Sequence, residues 1–290
     1  MFDYLCDGTS GTLPSIMGRN YLNCRLFFLR LAHCRAAKYH PNYQIPNTMI
    51  QVQSVTKCYG TLTAVENISF SLSPGDIVGF VGPNGAGKST VLKMLSTYLY
   101  PTEGTITVNG WDIVEHPLSV RRKIGYLSGD TPLYQTMRVD KFLHFCGKAR
   151  GLRGEVLEKN LQWVVDICGL SPHLYKRINQ CSTGFRQRIG LGSALIHDPP
   201  ILLLDEPTHG FDPLQVMAFR DLLRTLSTDR VILFSSHIIQ EVEALSDRVI
   251  LIHEGHLLAD GTPDGLYQDT GQTDLENVFS HLVKTSQSHA

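Results

Sequence analysis

Residues Gly82 to Thr90 read Gly-Pro-Asn-Gly-Ala-Gly-Lys-Ser-Thr, a glycine-rich loop that ends on a lysine and two hydroxyls. Such a loop cradles phosphate. Glycines at 82, 85 and 87 let the backbone turn tightly and aim N–H groups at one point, where a following helix adds its partial positive charge. Lys88 is then expected to hold the β- and γ-phosphates of a nucleoside triphosphate and Ser89 to put its hydroxyl on Mg²⁺, with Pro83, Asn84, Ala86 and Thr90 completing the cradle. The bland alternative, a glycine-rich turn before a core helix, leaves the Lys-Ser pair unexplained.

Three other stretches carry matching chemistry. Ile201-Leu-Leu-Leu-Asp205 is an apolar strand finishing on a carboxylate, where Mg²⁺ would be held through its waters. Glu206 follows at once, points to the other side of the strand end, and is placed to orient or deprotonate an attacking water. Arg230 to His237 is a second strand, so His237 shares a sheet edge with Asp205 if both run parallel, and a γ-phosphate contact is expected of it. Cys181-Ser-Thr-Gly-Phe-Arg-Gln-Arg188 leads small residues into a helix, which makes Ser182 and Gly184 a second anion-binding helix start. One chain thus has two phosphate-binding ends, and that doubling needs an explanation.

The elements that position these residues are set by periodicity. Asp76 to Val81 suits a buried strand before the loop and Val91 to Leu95 a helix after it. Ile50 and Val52, and then Ile68, Phe70 and Leu72, alternate with polar neighbours as half-buried strands do. Between them Lys57-Cys-Tyr-Gly60 is read as a turn carrying an exposed aromatic, and Tyr59 either stacks on a purine or covers a strand edge. Gly104 to Trp111 alternates into an Asn-Gly turn, and Ile124 to Leu127 is a further strand. From about Val139 to Lys176 apolar residues recur at helical spacing, an inserted helical lobe punctuated by Gly147, Gly151, Gly154, Gly169 and Pro172. Pro213 opens a helix to about Thr228, Arg248 to Ala259 forms a closing hairpin, and Leu275 to Phe279 is a short tail helix that packs.

Composition narrows the class. A chain of 290 residues can bury a large core without staples, and 26 basic against 27 acidic residues give no positive field for nucleic acid. No stretch approaches the roughly 18 consecutive apolar residues of a membrane span. The seven cysteines form no C-x-x-C pair, which favours reduced thiols. His253 and His256 flank the Glu254-Gly255 turn and read as surface. Residues 1–48 lack sustained periodicity and are expected to be a disordered extension or an upstream start before Met49.

With the phosphate loop, the second glycine-bearing helix start, strand-Asp-Glu and strand-His in this order, the chain from about Met49 onward resembles the nucleotide-binding subunit of an ATP-binding-cassette transporter. The resemblance implies an α/β phosphate-loop NTPase core with a mixed, mainly parallel sheet, an antiparallel β subdomain and a helical lobe over about 131–182, the cassette spanning 49–262 and a tail 263–290. It implies that Gly82 to Thr90 is the Walker A loop, Cys181 to Gln187 the signature, Leu203 to Glu206 the Walker B end, His209 to Asp212 the D-loop and His237 the switch histidine. Tyr59 then matches the adenine-stacking aromatic, and Asp212 is expected among the nucleotide-binding residues. The implied cofactors are ATP and Mg²⁺, and the implied partners a second nucleotide-binding subunit, in a homodimer or heterodimer, and integral membrane subunits on whose cytoplasmic face the chain sits. Two anion sites are explained if each ATP lies between the Walker A loop of one subunit and the signature of the other. Ser-Thr-Gly-Phe-Arg-Gln, His-Asp-Pro-Pro and Leu-Glu-Asn-Val-Phe are similar to the branch whose membrane subunits export drugs, sodium or polysaccharide.

The chain departs from the family at several points. Ser128-Gly129-Asp130 stands where a glutamine is usual, so Asp130 substitutes for it or the coupling differs. Cys181, Thr183 and Phe185 alter the signature, Ser193 replaces an arginine, and His209 replaces a small residue. Competing readings fit less well. The guanine-reading Asn-Lys-x-Asp of a GTPase is absent, and a soluble cassette ATPase would usually want two cassettes, a coiled coil or a basic face. Intact Lys88, Asp205, Glu206 and His237 argue against a degenerate scaffold.

Overall fold

The six strands that carry the site form one mixed sheet in the order β10-β9-β3-β8-β7-β6. The structure is a computed structural model that describes residues 48–288, so the expectation for residues 1–48 falls, Thr48 apart, outside the described residues. The strands are β3 (Ile77–Val81), β6 (Ile124–Leu127), β7 (Ile201–Asp205), β8 (Val231–Ser236), β9 (Arg248–His253) and β10 (His256–Gly261). All pair in parallel except β10, which closes the sheet as the expected hairpin on β9. A second, antiparallel sheet runs β2-β1-β4-β5, from β1 (Ile50–Tyr59), β2 (Leu62–Leu72), β4 (Glu103–Val108) and β5 (Trp111–Asp112).

Parallel strands buried on both faces read as continuous apolar runs, and β3 and β7 are buried at every residue. Alternation then divides them between two cores. Val78 and Phe80, with Ile201 and Leu203, face the antiparallel sheet and helix α1 (Lys88–Leu95). Ile77 and Val81, with Leu202 and Leu204, face the helices on the other side. Those are α5 (Thr183–Leu195), α6 (Pro213–Ser227) and α7 (Ile239–Leu245), while α2 (Pro117–Lys123) leads into β6.

The helical lobe contains α3 (Val139–Ala149) and α4 (Gly154–Ile167). Gly147 does not punctuate it: the residue lies inside α3, where a Cβ would meet Leu157 Cδ1 at 2.3 Å, so its smallness lets the two helices close. Two other expectations change. Lys57 to Tyr59 belong to β1, because β2 keeps pairing them as far as Tyr59 with Leu62, and only the residues beyond turn. The tail holds two helices, α8 (Pro263–Thr270) and α9 (Leu275–Ser288), and it packs through bonds from Gln240 to Glu276 and from Tyr267 to Glu243 of α7. No helix among the described residues is long and apolar enough to cross a membrane.

Candidate active site

Parallel pairing puts the carboxyl ends of β3, β8 and β7 side by side, Val81 opposite Ser236 and Asp205 opposite Ser235. Ligands gather at such an edge. The phosphate loop leaves β3 here, and its glycines serve different needs. Gly82 is required by closeness, since a Cβ would lie 2.1 Å from the Ile252 carbonyl oxygen. Gly87, with φ 105°, is the left-handed cap that turns the loop into α1. Lys88, 5% exposed, donates to the carbonyls of Gly82 at 2.7 Å and Pro83 at 3.0 Å. Burial pulls its pKa below the ordinary lysine value, and the Glu206 and Asp205 carboxylates offset only part of that. Ala64, Asn84, Gly85, Gly87, Lys88, Ser89, Thr90 and Glu206 line a cleft.

Asp205 is 6% exposed and accepts from Ser89 Oγ at 3.1 Å and from Ser235 Oγ at 2.6 Å. Ser89 Oγ and the Asp205 carboxylate make a small hard-oxygen set. That fits Mg²⁺, which keeps several waters and takes its remaining ligands from phosphate and one or two protein oxygens. Beside Asp205, burial and the aspartate charge push the Tyr126 phenol up to about 12, so it stays protonated.

Glu206 adopts φ 50°, a left-handed turn uncommon outside glycine. Its N–H is held by the Ser235 carbonyl at 3.2 Å and Ser235 Oγ at 3.1 Å. The turn carries its carboxylate away from Asp205 to His237, whose Nδ1 lies 2.8 Å from Oε2 and 2.9 Å from Oε1. Two adjacent acids thereby take different partners at one strand end, Asp205 the hydroxyls of Ser89 and Ser235 and Glu206 the imidazole of His237.

The remaining expected residues lie elsewhere. Ser182 caps α5, accepting from the N–H of Phe185 at 3.3 Å, and Gly184 is covered by Gln215, whose Oε1 sits 2.5 Å from where a Cβ would be. Asp212 caps α6 through the N–H of Gln215 at 2.8 Å and also accepts from Gln215 Nε2 at 2.7 Å. Tyr59 is 44% exposed with Lys57 Nζ 5.4 Å from its ring centre. Neither Tyr59 nor Ser182, Gly184 and Asp212 lines the phosphate-loop cleft. Asp130 is exposed, and Gly129 approaches the Asp205 carbonyl.

Sequence reasoning misses Ser235 and Gln215. The Ser-Ser-His run is a usable signal for Ser235, since a hydroxyl inside an otherwise apolar strand must find a partner. Nothing local marks Gln215, because its role depends on α6 meeting α5.

Residues 65–209 match the family described as ABC transporter. ABC transporter ATP-binding protein NatA of Bacillus subtilis (strain 168) is 39% identical over 76% of this chain and 91% of its own length. Linearmycin resistance ATP-binding protein LnrL of the same organism is 37% identical over 77% of this chain and 72% of its own. A solved ATP-binding subunit of an ABC transporter superposes with a TM-score of 0.75 at 27% identity, covering 81% of this chain and all of that one.

Proposed function

This chain belongs to the ABC transporter family as an ATP-binding subunit, and from that premise we propose that it hydrolyses ATP to drive export through separate membrane subunits. The observation that carries the proposal is the pairing of Glu206 with His237 at 2.8 Å beside a buried Lys88. Phosphoryl transfer asks little covalent chemistry of a protein and much positioning of charge. The phosphate-loop N–H groups and Lys88 bind and orient the β- and γ-phosphates. Ser89 and Asp205 would hold Mg²⁺, which would supply positive charge against the phosphates. Glu206 orients the attacking water and takes its proton as the water oxygen bonds to the γ-phosphorus and the bond to the β-phosphate oxygen breaks. His237 fixes the Glu206 carboxylate and faces the departing phosphate. Tyr59, exposed at the end of β1, stacks on the adenine.

Ser182 and Gly184 complete the nucleotide site of a second nucleotide-binding subunit, for which a second copy of this chain is the simplest candidate. Asp212 faces the same seam. The export direction rests on the resistance function in the name of LnrL, and the implied location is the cytoplasmic face of the membrane. The test is Glu206→Gln in the full chain. ATP binding should persist while turnover falls at least about a hundredfold, the usual scale for a lost general base. Undiminished hydrolysis would show that another group activates the water.

A further inference from the structure

Glu206 must be held at a fixed place relative to the phosphate loop, and the bonds it donates to the Ser235 carbonyl and hydroxyl fix only its backbone N–H. Directly after Glu206 the chain makes a turn, Pro207-Thr208-His209, closed by the N–H of His209 on the Glu206 carbonyl at 3.2 Å. Thr208 is 6% exposed, and its hydroxyl donates to Glu241 Oε2 at 2.5 Å. Glu241 lies on α7, the helix that begins two residues after His237. The same carboxylate oxygen accepts from Ser236 Oγ at 3.4 Å, and that hydroxyl in turn accepts from the N–H of Ile238 at 3.0 Å. One carboxylate therefore gathers the turn behind Glu206 and the strand end that presents His237.

The helix carrying Glu241 is itself immobilised on the strand that feeds the phosphate loop. Val242 packs on Gly79 of β3 so closely that a Cβ on Gly79 would lie 2.2 Å from Val242 Cγ1. The N–H of Asp247, past the end of α7, bonds the Ile77 carbonyl at 3.0 Å. A path of contacts runs from β3 through α7 to Thr208 and so to the flank of Glu206. We infer that Glu241 is a positioning residue for hydrolysis: through Thr208 and Ser236 it sets the Glu206–His237 pair against the phosphate loop, touching neither nucleotide nor water. This rests on the ATPase reading above.

The test measures kcat and ATP affinity of the full chain for Glu241→Ala, Thr208→Val, both together and Glu241→Gln, with Glu206→Gln as control. Misplacement of a reacting group by about an ångström costs up to roughly a hundredfold. Glu241→Ala and Thr208→Val should each lower kcat by about ten- to a hundredfold with ATP affinity within about twofold, and the double variant should be no worse than the worse single one, since both break one link. Glu241→Gln keeps an acceptor for Thr208 and should recover part of the rate. Wild-type kcat in Glu241→Ala, affinity falling in step with rate, or losses that multiply in the double variant would each overturn the inference. Should Glu241→Ala fail to fold, Thr208→Val decides alone, because it removes only a hydroxyl. Full hydrolysis in Glu206→Gln would instead defeat the underlying reading and leave a distinct signature.

Discussion

At the start of α1 the cap is Gly87, left-handed and without a side-chain bond, whereas at the start of α5 Ser182 bonds the N–H of Phe185 with its own hydroxyl. The first helix start is joined by a buried lysine and two acids within the same fold. The second has Ser182 and Thr183 exposed and Gly184 covered by the Gln215 side chain. One end is a charged, lined cleft and the other a capped, outward-facing helix start; under the proposed function the first binds the chain's own triphosphate and the second meets one carried by another subunit. Backbone N–H groups at a helix N-terminus attract anions, and at the second start the Arg186 guanidinium is engaged with the carbonyls of Cys181 and Asn179.

The sharpest way to break this contrast is to remove the cation from the first site. Lys88→Ala should weaken ATP binding by about a hundredfold or more, since bonds to a charged phosphate are worth about 1.5–3 kcal/mol each. Equilibrium binding of a fluorescent ATP analogue reads this directly, and retained affinity would show that the cradle's N–H groups suffice. A milder test strikes the second site. Gly184→Asp pushes Gln215 off its bonds with Asp212 and adds negative charge where an anion should dock. Turnover should fall by about ten- to a hundredfold while the chain's own ATP affinity stays within about twofold. Parallel loss of both would place the signature at the chain's own nucleotide.

The smallest effect concerns how α5 is mounted. His197, just beyond the end of α5, donates from Nε2 to the Ile124 carbonyl at 3.1 Å, and burial together with Arg150 pulls its pKa down to about 4. A histidine held neutral in the folded chain stabilises it fully above the unfolded value of 6.5 and loses that contribution as pH falls through 6.5 towards 4. His197→Gln keeps a donor and should flatten the acid limb. Between pH 7 and 5 the variant should lose about 5 °C less in melting temperature than wild type. Equal acid limbs would assign the sensitivity to other groups.

Much of this arrangement is legible in the chain. The phosphate loop, the strand ending on Asp205 and the strand that stops one residue before His237 all announce themselves through runs of apolar residues that stop at or beside a functional group. Tyr59 reads as part of a turn because glycine at 60 suggests an earlier break, yet pairing by β2 carries the strand to Tyr59. Gly82 reads as a flexible position and is in fact a contact with the carbonyl of Ile252, 170 residues away in the chain and invisible locally. Ser235, Gln215 and Glu241 act through partners on other elements, so no spacing rule reaches them.

The claim that the two helix starts are halves of different nucleotide sites is tested most directly by comparing Glu206→Gln with Glu206→Gln plus Gly184→Asp, measuring bound ATP and molecular mass on the same samples. The single variant should bind ATP and double its mass when ATP is added. The double variant should bind ATP within about twofold of the single one and remain at the mass of one chain. Loss of ATP binding in the double variant, or a doubled mass that persists in it, would contradict the shared-site account.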